Sequence, residues 1–248
     1  MIPFSVVLVT KNEERNIVDA LESVKDFEDI VVVDAFSDDM TVDICRRYTD
    51  RVYRHAWEGY ALQKQKALDY ATREWVFLLD ADERITPELK TELTEITKAG
   101  SANGFYVPRK NYFLGKWIRH GGWWPDYTLR FFRKDRGRME PRAVHERVVV
   151  EGSVPYLKNP VEHYTYRTIS EYILKMERYS DLAARELISG GGRREISGMI
   201  VNPCLAFVKM FLVRQGFRDG MRGFLLAALY SFYTFLKYAK AWEKRVQP

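Results

Sequence analysis

The sequence predicts an α/β fold, a Rossmann-like and mostly parallel sheet followed by a helical C-terminal extension. Three observations predict it. Short apolar runs rich in β-branched residues alternate with helix-spaced segments four times in the first 80 residues, which is the pattern of right-handed βαβ units. The first, second and fourth runs end on Thr10, Asp34 and Asp80, polar residues at the carboxyl ends of strands. From residue 168 onward the pattern becomes helical and basic.

Taken in order, Phe4-Ser-Val-Val-Leu-Val9 suits a strand buried on both faces. Thr10-Lys11-Asn12-Glu13-Glu14 follows as a polar loop, and Ile17, Leu21 and Val24 show helical spacing over 14–25. Asp29-Ile-Val-Val-Val-Asp34 reads as a second buried strand. Phe36-Ser37-Asp38-Asp39 is turn and cap chemistry before a helix over 40–48. A weaker strand covers 51–54, and Leu62, Ala67, Leu68 and Ala71 space a helix over 59–73. Trp75-Val-Phe-Leu-Leu79 is the fourth strand. Thr86 caps a helix over 87–98 that has Pro87 in its first turn. Residues 104–165 read as short strands and loops, and 168–248 as helices broken near Gly190-Gly191-Gly192, Gly216 and Gly220. Two domains follow, 1–165 and 166–248.

Composition is globular, with 46% hydrophobic and 29% charged residues in a chain of 248. Cys45 and Cys204 lie far apart, fit no metal spacing and imply no disulfide framework, so a reducing compartment is expected. No secretory leader is expected, because Ile2-Pro3-Phe4-Ser5 runs straight into a strand. Of the net charge of +5, residues 166–248 carry 14 Lys and Arg against 7 Asp and Glu. That concentration marks a partner surface. No run of about 20 uncharged apolar residues is present, so no transmembrane helix is expected. The stretches 199–213 and 223–239 are apolar but studded with cations. They suit helices lying in a membrane interface, the other reading being packing on the catalytic domain or a dimer face.

In parallel sheets, ligands bind beyond the carboxyl ends of the strands, so Thr10, Asp34 and Asp80 converge on one crevice. The sharpest motif there is Asp80-Ala81-Asp82-Glu83. Carboxylates at i and i+2 in extended backbone point the same way, and they repel unless a cation sits beside them. A hard divalent ion, Mg2+ or Mn2+, completed by diphosphate oxygens, meets that need. It would neutralise charge on a departing nucleoside diphosphate. A solvated acidic turn is the plainer reading of such a motif. The buried strand before it and Asp34 at the end of another weigh against that reading.

Together, Thr10 to Glu14, Asp34 with Ser37-Asp38-Asp39, and Leu79-Asp80-Ala81-Asp82-Glu83 resemble the inverting glycosyltransferases of family two, which have the GT-A fold. The resemblance covers about the first 100 residues. It implies that Thr10, Asn12 and Glu13 line the nucleotide pocket. Asp34 would hold the base or ribose, Asp80 and Ala81 would approach the ribose, and Asp82 would bind the metal. Where the family often shows Arg-Asn, this chain has Lys64-Gln65-Lys66. Lys64 is assigned to the nucleotide, with a solvated helix face as the alternative for both lysines. Glu13 and Asp34 also have a structural alternative as helix-terminal carboxylates.

Inverting transfer needs a general base but no covalent nucleophile. Gly121-Gly122-Trp123-Trp124-Pro125-Asp126, with Leu129-Arg130-Phe131-Phe132-Arg133 after it, resembles the acceptor-side segment of the family. Asp126 is the preferred base, and Trp123 and Trp124 either stack on sugar faces or pack ordinarily. Val144-His145-Glu146-Arg147 is the second candidate segment. Either His145, assigned to the metal, or Glu146, assigned to catalysis, serves the diphosphate–metal unit or acts as base. His163 is a possible further metal or phosphate contact, or a structural histidine.

Arg214-Gln-Gly-Phe-Arg-Asp-Gly220 resembles a segment of bacterial lipopolysaccharide-core glucosyltransferases acting on heptose. The expected enzyme is thus a metal-dependent hexosyltransferase using a UDP-sugar, UDP-glucose being one example, and a lipopolysaccharide-core or other lipid-linked glycan. It would sit in the cytoplasm on the inner face of the cell membrane, touching it through the C-terminal helices, with homo-oligomers possible and no nucleic-acid partner. A nucleotidyltransferase is one alternative, but it would show a Gly-rich phosphate loop near the first strand. A non-catalytic basic module for membrane or nucleic acid is another, and it leaves the acidic crevice unexplained.

Overall fold

The computed structural model describes residues 1–100, 102–140, 147–190 and 195–246. Contacts divide the chain into two compact units, Met1–Lys110 with Tyr127–His163, and Asn111–Asp126 with Tyr164–Pro248.

In the first unit, β1 (Ile2–Thr10), β2 (Phe27–Asp34), β3 (Val52–Arg54) and β4 (Trp75–Asp80) form a parallel array in the order β3-β2-β1-β4. The strands run parallel because α1 (Ile17–Glu22), α2 (Thr41–Cys45) and α3 (Tyr60–Tyr70) return the chain to the same end each time. Alternation sends Val6, Leu8, Val32, Phe77 and Leu79 to one face, and Val7, Val31, Val33, Val76 and Leu78 to the other. After β4 come β5 (Glu83–Ile85) and α4 (Pro87–Ala99). Ile17 and Leu21 of α1 and Leu89 and Leu93 of α4 cover the first face. Ala67 and Leu68 of α3, with Ala71 after it, cover the second. A strand covered twice must be apolar on both sides, which is why these strands read as unbroken apolar runs. The Thr86 hydroxyl accepts from the Leu89 amide at 3.2 Å, with Pro87 in the first turn, as the sequence predicts.

The region 104–165, expected as short strands and loops, holds six strands among its described residues. These are β6 (Gly104–Phe113), β7 (Lys116–Trp117), β8 (Asp126–Arg133), β9 (Gly137–Glu140), β10 (Arg147–Val150) and β11 (Val161–Tyr166). Here the sheet turns antiparallel, β8 against β4 and β11 against β5. β9 and β10 form a separate two-stranded ribbon.

The second unit contains α5 (Ile169–Ser189), α6 (Glu195–Val208), a π-helical turn (Lys209–Val213), a 3-10 turn (Gly216–Asp219) and α7 (Met221–Val246). Phe113, Ile118, Tyr172, Met176, Met210, Leu226 and Ala227 make its core. Thr168 and Glu171 cap α5 reciprocally. A Cβ on Gly223 would lie 1.9 Å from the Gly216 carbonyl oxygen, so only glycine lets the 3-10 turn fold onto α7.

The π-helical turn extends α6, so Ile196–Val213 is a continuous apolar helix of 18 residues, long and apolar enough to cross a membrane by length and composition, although it is shorter than the expected run of about 20 and contains Lys209.

The thiols report this architecture. Burial first, then the Asp34 charge, pushes the Cys45 thiol up to about 12, whereas Cys204 is exposed. We expect maleimide to modify Cys204 in the native protein and Cys45 only after denaturation, as peptide mass mapping will show.

Candidate active site

The loops beyond β1 and β2 are tied to each other. Asp34 is fully buried. Its carboxylate accepts from the Ser37 amide at 2.9 Å, the Ser37 hydroxyl at 2.5 Å and the Thr10 hydroxyl at 3.3 Å, with Arg54 Nε 3.6 Å away. Asp34 therefore organises the rim in this conformation. The Asn12 amide donates to the Ser37 hydroxyl at 2.9 Å and the Asn12 side chain accepts from the Asp38 amide at 3.1 Å. Glu13 donates its amide to Thr41 Oγ1 at 2.8 Å, and its carboxylate accepts from Asn16 at 2.9 Å. Asn12 and Phe36 both hold φ near +55°, a costly conformation for non-glycine residues that clusters at functional sites. Phe36 is exposed, with the Arg54 guanidinium 4.9 Å from its ring centre. Sequence reasoning missed that platform; the signal was an apolar ring in a polar turn.

Beyond β4 the acidic motif separates into two charge systems. Asp80, about a third exposed, meets Lys64 at 3.2 Å and Arg130 in a short contact. Arg130 also pairs at 2.8 Å with Glu83, which is fully buried and accepts from the Asp80 amide at 3.0 Å. Burial opposes ionisation of Asp80, but Arg130 and Lys64 outweigh it and hold its carboxyl well below the usual range. Arg130 is shifted upward for the reciprocal reason, its desolvation being overcome by Asp80 and Glu83. Lys64 is buried here, not on a solvated helix face, whereas Lys66 pairs with Glu58 at 2.5 Å. Ala81 is buried, and its carbonyl accepts from Arg84 at 3.0 Å.

Asp82 faces elsewhere, with its Oδ2 3.3 Å from Nε2 of the nearly buried His163. The pairing follows from register, since β11 lies against β5 with His163 opposite Glu83. Among the described residues, no group of three His, Cys, Asp or Glu side chains converges as a metal cage. Asp82 and His163 supply two donors of the right kind. A divalent ion in a nucleotide site takes few protein ligands and fills its shell with phosphate and water oxygens. His145 and Glu146, the other predicted site residues, lie outside the described residues.

In the second unit, Asp126 is half-buried, with its Oδ2 accepting from Asn111 Nδ2 at 2.9 Å, and Asn111 also donates to the Trp123 carbonyl. Trp123 packs beside Phe113 and Tyr166, and Trp124 stands edge-on to Trp117. The loop before Asp126 is latched by the Arg214–Gly220 segment. Asp219 accepts from the His120 amide at 2.8 Å and the Arg119 amide at 3.3 Å, and the Gly121 amide donates to the Arg214 carbonyl at 2.8 Å. Gly122 has φ of 86°, and a Cβ there would meet Arg214 at 2.3 Å. Sequence reasoning left Asp219 without a role.

Comparison with known proteins decides the family, since the model described as Glycosyl transferase family 2 matches residues 5–163. The chain is a family-two glycosyltransferase. It is 31% identical over 256 residues to the lipopolysaccharide core biosynthesis glycosyltransferase LpsC of Rhizobium meliloti, covering 98% of this chain and 93% of that one. It is 28% identical to an uncharacterized glycosyltransferase of Rickettsia typhi, covering 96% of this chain and 86% of that one. Two solved structures share its fold, each at 16% identity and 98% coverage of this chain. One is the mannosyltransferase PcManGT from Pyrobaculum calidifontis in complex with GDP-Man and Mn2+, with TM-score 0.54 and 88% of that chain covered. The other is S. aureus TarS in complex with UDP-GlcNAc, with TM-score 0.50 and 91% covered. The expected GT-A-like architecture is thereby shown.

Arg130 is the charge on which this glycosyltransferase's acidic motif depends. Replacing it with Leu strands Glu83 as an unpaired buried carboxylate, and we expect a loss of about 3–5 kcal/mol. Asp80 titrates lower in the folded than in the unfolded chain, so its stabilising contribution is present above the ordinary carboxylate range and is lost on acidification. Urea midpoints of wild type and Arg130→Leu at pH 7 should therefore differ widely, and the gap should narrow towards pH 3.

Proposed function

We propose that this glycosyltransferase moves a sugar, with inversion, from a nucleotide sugar of the UDP type to a hydroxyl of a lipopolysaccharide-core or other lipid-linked glycan. It would do so in the cytoplasm, against the inner face of the cell membrane. UDP-glucose is the first donor to test. The observation that carries the donor half of this reading is the Asp82–His163 pair next to a charge-balanced Asp80 at the carboxyl end of β4. The similarity to LpsC supports the acceptor class. Structural neighbours in complex with UDP-GlcNAc, and with GDP-Man and Mn2+, support a nucleotide sugar and a divalent ion.

In this reaction the acceptor oxygen attacks the anomeric carbon while the bond to the diphosphate oxygen breaks. The electron pair leaves with the nucleoside diphosphate, and the acceptor proton passes to a carboxylate. Asp82 and His163 would hold the ion, which supplies positive charge to the departing diphosphate. Asp80 would receive the ribose, held in one rotamer by Lys64 and Arg130. The loop of Thr10, Asn12 and Glu13, with Asp34 bracing it, would line the nucleotide pocket. Asp126 would take the proton, its oxygen oriented by Asn111.

Asp82→Asn and His163→Ala should each cut Mn2+-dependent hydrolysis of UDP-glucose by about a hundredfold or more, while circular dichroism stays native. Full activity in both variants excludes this metal site. Asp126→Asn should lower transfer to extracted lipopolysaccharide core about 10²–10⁴-fold and leave UDP affinity by calorimetry unchanged. If transfer persists, Glu146 takes the role of base.

A further inference from the structure

We propose that the outward face of α6 and its π-helical turn docks on an anionic lipid bilayer, lying in the interface without crossing it. The inference rests on the membrane location proposed above and gives it a surface and a lipid chemistry.

A helix on a soluble unit turns its apolar stripe inward and its polar residues to water. Here the order is reversed. Ile200, Val201, Leu205, Val208, Leu212 and Val213 are between 43% and 72% exposed. Val201, Leu205, Val208 and Leu212 recur every three or four residues, so they share one side of the helix, with Ile200 and Val213 on its flanks. The inward residues include Gly198, Asn202, Pro203 and Met210. A continuous apolar face of this kind on a folded unit marks an interaction site.

Charge selects the occupant. From 196 to 242, Asp219 is the only acidic residue, against six Lys and Arg. Asp219 is buried and engaged by the Arg119 and His120 amides, so it offers no exposed negative charge. Lys209 lies within the apolar face, and Arg218 is exposed just beyond it. Apolar side chains beside cations, with no exposed carboxylate among them, match acyl chains beneath anionic headgroups. A second copy of the same surface would bring like charges together.

The inward side of α6 excludes a span. Asn202 donates to the Tyr238 hydroxyl at 2.7 Å, and Ser231 donates to the Pro203 carbonyl at 2.8 Å, tying α6 to α7. In turn α7 is bound to α5 through Lys240–Glu177 at 2.7 Å and Lys244–Asp181 at 2.9 Å. A crossing α6 would draw these charge pairs towards hydrocarbon. Lying flat, it immerses only its outward face.

The full chain can be tested with Cys204, exposed on α6, carrying an environment-sensitive maleimide dye. Vesicles of phosphatidylcholine with one-third phosphatidylglycerol should sediment the protein and blue-shift the dye, and pure phosphatidylcholine should do neither. Lys209→Glu with Arg218→Glu should weaken sedimentation of unlabelled protein by about twentyfold or more, at roughly fivefold per charge. Leu205→Asp with Leu212→Asp should abolish it. Mn2+-dependent UDP-glucose hydrolysis should be unchanged in every variant. Three outcomes overturn the proposal. They are no binding to anionic vesicles, a two-copy mass in light scattering that Leu205→Asp with Leu212→Asp splits, and bound protein that resists alkaline carbonate, as a spanning helix would. Loss of vesicle binding with hydrolysis intact removes this inference alone. Vesicle binding by a chain that hydrolyses no nucleotide sugar removes the functional reading alone.

Discussion

A guanidinium inside an apolar strand governs the acidic half of this molecule. Arg130 is flanked by Leu129, Phe131 and Phe132 and is almost wholly buried. A charge cannot remain there without anions, because desolvation costs more than any single surface pair returns. Its two partners come from the turn after β4, Glu83 from the interior and Asp80 from the crevice. Glu83 also accepts from the Asp80 amide, so one buried cation sets both backbone and side chain of the residue that ends the strand. The acidic motif is thereby divided. Asp80 is compensated by Lys64 and Arg130, and Asp82 lies beside His163.

That division gives chemical meaning to a run of three acids. Without Lys64 and Arg130, the motif would be a patch of like charges attractive to any cation. With them, Asp80 is charge-balanced within the protein, while Asp82 lies 3.3 Å from an imidazole able to share a metal. A diphosphate brings its own negative charge, so a site that receives one cannot keep all three carboxylates unneutralised. Lys64 and Arg130 lower that repulsion before any ligand arrives.

The second unit solves a different problem, holding a glycine-rich loop in one shape. Gly121 and Gly122 have positive φ and little side chain with which to anchor themselves. The anchor is supplied from a remote part of the chain by Asp219, by the Arg214 carbonyl and by Arg222, which donates to the Leu114 carbonyl at 3.1 Å. A buried carboxylate accepting backbone N–H groups is a strong, directional restraint. The segment Arg214–Gly220 therefore has a mechanical reason for its composition. Its glycines allow close approach, and its single acid holds two amides.

The alternation of strands and helices in the first 80 residues, the twice-buried strands and the cap at Thr86 were legible in the amino-acid sequence. Each depends on neighbours in the chain, on period-two or helical spacing, and on the rule that a doubly covered strand must be apolar. Family membership was legible for the same reason, because its motifs sit at the ends of such strands. Tertiary structure alone decided which charges meet. Arg130 reaches Asp80 and Glu83 through the pairing of β8 with β4, and His163 reaches Asp82 through the register of β11 on β5. It also decided that Lys64 turns inward and that α6 continues into a long helix with its apolar side outward. Local patterns record what a residue avoids, water or its absence. Partners distant in sequence are chosen by strand register and helix packing, and no single stretch of chain contains that information.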